Sequence, residues 1–250
     1  RLVHRPTGRV LADPSHPLGL VVHQAFGEAD YERFYRQLTP APEDEGWARW
    51  DNTKPGIDGC GAVSASWSPS TVMVWTSNRQ DEWWRDIVVR SAFPDEAIGH
   101  GAPSEVWQRW WFATEGDELE HDVWWNDRAP TRLPSATWCS YVPVVAEPER
   151  WEIDKLGQRI SPLDVVRRGG RSLHGVGEGM HYVGPDGRLR IEPHDAPLVA
   201  PGRPNLLDAD PPVPDLEGGW HVLLHDNLWG TNFPMWNEGP ARFRTILSIT

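Results

Sequence analysis

The sequence predicts a mostly β fold, a sandwich of short antiparallel strands with one or two short helices, and three observations predict it. Segments with strand-like alternation recur along most of the 250 residues. Pro (24) and Gly (23) are frequent and dispersed, which breaks the chain into short elements. Strong turn motifs such as Gly184-Pro185-Asp186-Gly187 separate neighbouring strand patterns. Many short strands at regular spacing are the signature of a sandwich rather than of a parallel α/β sheet.

The elements follow in order. Arg1 to His4 and Val10 to Ala12 read as a hairpin around Pro6-Thr7-Gly8-Arg9. Leu20 to Phe26 is a strand. Tyr31, Phe34 and Tyr35 then fall at i, i+3 and i+4, which predicts a helix over Glu28 to Arg36. Asp44 to Gly59, polar and punctuated by Gly and Pro, reads as a loop. Val63 to Pro69 and Thr71 to Trp75 flank a Pro-Ser pair and predict a hairpin. Glu105 to Ala113 and Glu118 to Trp125 flank Glu115-Gly116-Asp117 and predict another, with Leu119, His121, Val123 and Trp125 on one face. Further strands are expected at Ala136 to Val145, Trp151 to Lys155, Arg159-Ile160, Met180 to Val183, Arg188 to Glu192, Trp220 to Leu228 and Phe243 to Ile249. Ala196 to Pro214 is Pro-rich and is expected to be mostly irregular.

Composition narrows the function classes. Hydrophobic residues make up 39% and charged residues 24%, values of a folded chain with a sizeable core. A net charge of −12 argues against nucleic acid as partner, because phosphate binding needs a concentrated positive face. No apolar run approaches the ~18 residues of a membrane-spanning helix, so a soluble chain is expected, with the cytoplasm slightly favoured. Cys60 and Cys139 are too few for a disulfide framework or a Cys-based zinc site. His221 and His225 have the spacing of helical metal ligands. On a strand, at about 3.3 Å per residue, they would stand about 13 Å apart and could not share an ion. No cofactor is therefore expected in this chain.

Trp is the unusual residue, with 16 copies. An indole suits both core filling and stacking on a sugar ring, and core packing is the expected role of any single Trp. The densest candidate is Asp226-Asn227-Leu228-Trp229-Gly230-Thr231-Asn232-Phe233-Pro234-Met235-Trp236. There Asn227 and Asn232 supply amides for hydroxyls, and Trp229 and Trp236 supply apolar faces, the combination a sugar site needs. The competing reading is that both amides pin a tight turn while both indoles pack beneath it. His194 and Asp195, before Ala196-Pro197-Leu198, form a second and weaker polar cluster.

The run Asp226 to Trp236, followed by Ala241-Arg242-Phe243-Arg244, resembles the carboxy-terminal signature of a microbial family of unknown function whose full-length members look like glycoside hydrolase family 38, the α-mannosidases. Supporting motifs occur in the same order: Pro17-Leu18-Gly19, Trp151 to Gln158, Ser161 to Val166, and Asp195 to Gly202. The resemblance implies a galactose-mutarotase-like β-sandwich, with residues 1–250 as one carboxy-terminal domain of a larger protein. An amino-terminal catalytic domain, absent from this chain, would hold a zinc ion and an aspartate nucleophile. Retaining hydrolysis needs a nucleophile and an acid together, so the resemblance implies an accessory domain that binds or shapes a carbohydrate. Its partners would be that sugar and the catalytic domain. A purely structural domain and a mutarotase-type enzyme are the alternatives; the latter requires His174, His194 or His225 to face a carboxylate across an open pocket.

Overall fold

The computed structural model describes residues 1–39, 46–77, 84–113, 116–229 and 234–250. In chain order the elements are β1 (Leu2–His4), β2 (Arg9–Ala12), β3 (Leu18–Ala25), α1 (Glu28–Leu38), α2 (Trp47–Asn52), β4 (Ala65–Trp67) and β5 (Ser70–Thr76). Next come β6 (Trp84–Ala92), α3 (Asp95–Gly99), β7 (Glu105–Ala113), β8 (Glu118–Trp125), β9 (Ser135–Tyr141), β10 (Trp151–Lys155) and β11 (Gln158–Ile160). The chain finishes with β12 (His174–Gly175), β13 (Met180–Gly184), β14 (Gly187–Pro193), β15 (Leu198–Pro201), β16 (Trp220–Asp226) and β17 (Ala241–Ile249).

Among the described residues these strands form a mostly β sandwich. One sheet has nine strands in the order β11-β10-β13-β14-β17-β8-β7-β6-β5, and the other has six, β12-β15-β16-β9-β3-β4. The β1–β2 hairpin stands apart from both. Alternation explains the division of labour. On β8, Leu119, His121, Val123 and Trp125 turn inward and are buried, as the sequence pattern predicts. They meet Val21, Cys139, Tyr141, Val222 and Leu224 of the six-stranded sheet across the sandwich. β9 differs: all seven of its residues are buried. It lies at the centre of its sheet, and the sheet's second face is covered by α1, whose Tyr31 packs with Phe26, Trp138, Leu223 and Leu228. Trp125, Trp138, Trp151 and Trp220 are fully buried, so a good share of the indoles is core.

A polar group is built into the interior. His121, fully buried, stacks on Trp110 at 3.9 Å, and its ring nitrogens meet the Tyr141 hydroxyl at 2.8 Å and Gln108 Oε1 at 3.0 Å. Gly19 makes room for it. Its φ is +77°, and a Cβ there would lie 2.6 Å from His121 Cε1.

Two sequence expectations are corrected. β4 and β5 are not a hairpin: β4 pairs with β3 in the smaller sheet and β5 with β6 in the larger, so Ser68-Pro69 is a corner between sheets. Of the expected loop 44–59, residues 46–59 hold α2 and part of a 3-10 turn at Ile57–Cys60. The Pro-rich stretch 196–214 is mostly irregular, as expected, apart from the four residues of β15, paired through Val199↔Val222. The expected helix is α1, whose N-terminus is held by Asp30 Oδ2 accepting from Gly27 N at 3.0 Å and Asp58 accepting from Glu28 N at 2.8 Å. β5, at the edge of the larger sheet, has every residue exposed.

Candidate functional site

The strand lengths create a groove. β15 pairs with β16 only at Trp220, His221 and Val222, whereas β9 accompanies β16 to Asp226. Past Val222, β16 therefore has a strand neighbour on one side only among the described residues. The chain before β15 is drawn away, because it must cross over from the larger sheet. His194 N still donates to Arg244 O of β17 at 2.9 Å. Asp195 then clamps Arg244, accepting from its backbone N, Nε and Nη2, each at 2.9 Å. A hollow of about 620 Å³ remains between this crossover and the segment after β16. Asp195, His225, Asp226, Asn227, Trp229 and Trp236 are among the residues that line it.

Four of the six residues expected from sequence thus meet in one place: Asp195, Asn227, Trp229 and Trp236. Asn232 lies outside the described residues. His194 does not line the hollow; it is exposed, with Nε2 3.9 Å from Glu192 Oε1. Asp226 lies within the conspicuous motif but sequence gives it no role of its own, and His225 figures there only as a candidate base of the mutarotase-type alternative.

The four are not equivalent. Asn227 is 4% exposed, and its amide is saturated by protein. Its Oδ1 accepts from Ser135 N at 2.7 Å and Ser135 Oγ at 3.3 Å, while Nδ2 faces the carbonyls of Thr131, Leu133 and Met235 at 3.0, 3.0 and 3.2 Å. The turn-pinning reading accounts for all its polar atoms, and it shapes the wall without a hydrogen bond to spare. Trp229 is half-buried and rests on α1, tilted against Phe34 at 5.4 Å with its edge relation to Tyr31 at 6.2 Å. Tyr31 in turn donates to Leu228 O at 2.9 Å. Trp236 is 54% exposed, and the Arg132 guanidinium lies 4.9 Å from its ring centroid. It is the groove's open aromatic surface.

The polar lining is electrically distinct from the outer surface. Burial raises the Asp226 carboxyl above its ordinary pKa, opposed by the bond from Leu228 N. Asp195 is held low by its bond to Arg244. His225 is pushed down to about 3, by burial first and then by the cation of Arg128. Arg128, itself 4% exposed, donates Nη1 to His225 Nε2 at 2.9 Å and to Asn237 O at 2.8 Å, and Nε to Gly101 O at 2.8 Å. A guanidinium can only donate, so His225 is the neutral tautomer with its proton on Nδ1. That Nδ1 has no partner among the described residues. That nitrogen is itself buried, so the groove offers a ligand indoles and carboxylate acceptors. Among the described residues no three His, Cys, Asp or Glu side chains gather as a metal site would require, and no helix is long and apolar enough to cross a membrane.

With this geometry in hand, comparison with known proteins bears mainly on fold. Residues 1–120 match the family model of a domain of unknown function, DUF5054. No curated protein matches the chain. Among solved structures, a protein in glycosyl hydrolase family 38 from Enterococcus faecalis superposes with a TM-score of 0.53 at 10% identity over 99% of this chain and 28% of that one. This chain therefore spans under a third of that neighbour's length, and the likeness establishes a shared sandwich fold. A glycoside hydrolase family 97 enzyme from Pseudoalteromonas sp. strain K8, in complex with acarbose, matches at a TM-score of 0.40 and 12% identity over 76% of this chain and 28% of that one.

Proposed function

We propose that the chain is a carbohydrate-binding sandwich domain of a glycoside-hydrolase-like protein, and that the groove beside β16 receives part of the sugar. The single observation that carries the reading is the convergence of Trp229 and Trp236 with Asp195, His225 and Asp226 on one hollow. Pyranose rings present an apolar C–H face and a rim of hydroxyls; an indole takes the first, and carboxylates accept from the second. The fold shared with a family 38 protein agrees with a carbohydrate-related role. The resemblance to the α-mannosidases makes α-mannosides the sugars to test, and implies that zinc, nucleophile and bond cleavage would belong to a separate amino-terminal domain. In this reading the chain alone does not hydrolyse.

The test is titration of the chain with methyl α-D-mannoside and α-mannobiose, read by tryptophan fluorescence and calorimetry. Trp236→Ala should weaken binding by about tenfold, the loss of one stacking contact, without a change in Tm. Unaltered affinity in both Trp236→Ala and Asp226→Asn would leave the domain a scaffold, the role that the saturated amide of Asn227 already fits.

A further inference from the structure

The outer, solvated face of the nine-stranded sheet holds a second constellation. The cross-strand register places Arg242, Trp124, Trp107, Arg90 and Met73 in one row from β17 to β5. The adjacent row is Arg244, Asp122, Arg109, Val88 and Trp75. Outward positions of an antiparallel sheet are ordinarily polar, yet this face carries a run of indoles. Trp75 and Trp107 stack at 5.5 Å and 8°, and Trp107 and Trp124 at 6.0 Å and 20°. The Arg90 guanidinium lies 5.8 Å from the Trp107 ring centroid. Trp75 remains 41% exposed.

Against Trp124 at the end of this stack lies a hollow of about 540 Å³, whose lining includes Arg109, Asp122, Asn126 and Arg242. Trp107 occupies one face of the Trp124 ring, so the stack fixes the indole that borders the hollow. Asp122 is 3% exposed and holds Arg242 by a two-pronged bond, with Nη2 to Oδ2 at 2.7 Å. Arg109 is matched by Asp86 at 3.4 Å. Each guanidinium facing the hollow thus has its own carboxylate. The site offers fixed donors and acceptors around an indole but no surplus charge to attract a phosphate or a uronate. That chemistry fits the hydroxyls and C–H face of a neutral sugar.

One ion pair links the two regions through the sheet. Asp195 of the groove's wall holds Arg244, and Arg244 lies directly across from Asp122, which lines the hollow, in the sheet register. We infer that the outer-face hollow at Trp124, Asn126 and Arg242 is a second sugar subsite, and that one neutral oligosaccharide engages it together with the groove. This inference rests on the carbohydrate reading above and adds chain length and a second contact point to it.

The experiment compares methyl α-D-mannoside with a linear α-1,6-mannopentaose on the chain, with Trp124→Ala and Asn126→Ala as hollow variants and Trp236→Ala as the groove variant. Asn126 is exposed, so its variant tests the hollow without removing a packed side chain. Both hollow variants should bind pentaose roughly tenfold more weakly and methyl mannoside as wild type does, whereas Trp236→Ala weakens both sugars. Wild-type pentaose affinity in the two hollow variants overturns the second subsite and leaves the groove standing. Loss in the hollow variants with none in Trp236→Ala overturns the groove and leaves the hollow as the only site. Tighter binding of an oligouronate than of the pentaose overturns the neutral-sugar assignment, and a wild-type chain that binds neither mannoside overturns both sites.

Discussion

Lowering the pH from 7 to 5 should destabilise this domain through histidines that are buried neutral. His23 and His121 are fully buried and His221 is 6% exposed. Burial holds their pKa values down to about 4, about 3 and about 4 respectively. Each is depressed below the unfolded value near 6.5, so below that value the unfolded chain binds protons that the folded one refuses. Stability is then full above about pH 6.5 and falls as the pH drops toward the folded values. Between pH 7 and 5 the loss is on the order of 2 kcal/mol per histidine, or roughly 5 kcal/mol for three. Folded domains commonly hold ~5–15 kcal/mol in total, so the effect is large. Asp226 works in the opposite direction, because its raised pKa favours the protonated fold, but one carboxyl does not offset three imidazoles. Urea unfolding at half-unit pH steps, followed by tryptophan fluorescence, measures the slope directly. A ΔG of unfolding that stays flat from pH 7 to pH 5 would refute the argument, as would a His121→Gln variant with the same slope as wild type.

Further outcomes follow from single side chains. Asn227→Ala should cost about 2–4 kcal/mol, since it strands the Ser135 amide and three carbonyls; a lowered Tm checks it, and an unchanged Tm would remove Asn227 as the pin of the groove. Gly19→Ala should be destabilising by over about 2 kcal/mol, because a methyl at φ +77° meets the His121 ring, and thermal melting reads it. Asp226→Asn should leave Tm at pH 7 equal or higher, as it removes a desolvated charge, while weakening mannoside binding in the same calorimetric assay.

Much of the strand inventory was legible because period-2 alternation and turn chemistry are local. The β1–β2, β7–β8 and β13–β14 hairpins follow from contiguous residues, and α1 follows from the Tyr31, Phe34, Tyr35 spacing. Pairing partners are another matter. Nothing in Trp67-Ser68-Pro69-Ser70 states that the strands on either side join different sheets, and β15 is hidden in a Pro-rich stretch because its two-sided burial comes from remote neighbours. The site divides in the same way. Composition located the 226–236 segment but could not tell an amide that faces a ligand from one, like Asn227, consumed by carbonyls close by. Arg128 was invisible, since its partners Gly101, His225 and Asn237 come from three separate stretches of sequence. The outward-facing indoles were equally unreadable, because Trp107 and Trp124 differ from the core residue Trp125 only in which side of a strand they occupy.

Arg128 has a mechanical consequence. A single buried cation ties the turn after α3, the end of β16 and the strap that leads into β17. The cleft wall is thereby fastened to the same rivet as the sandwich, and its outline is set before any guest arrives. Little ordering is left for association to impose, and heat that loosens the layers must spoil the cleft at the same moment.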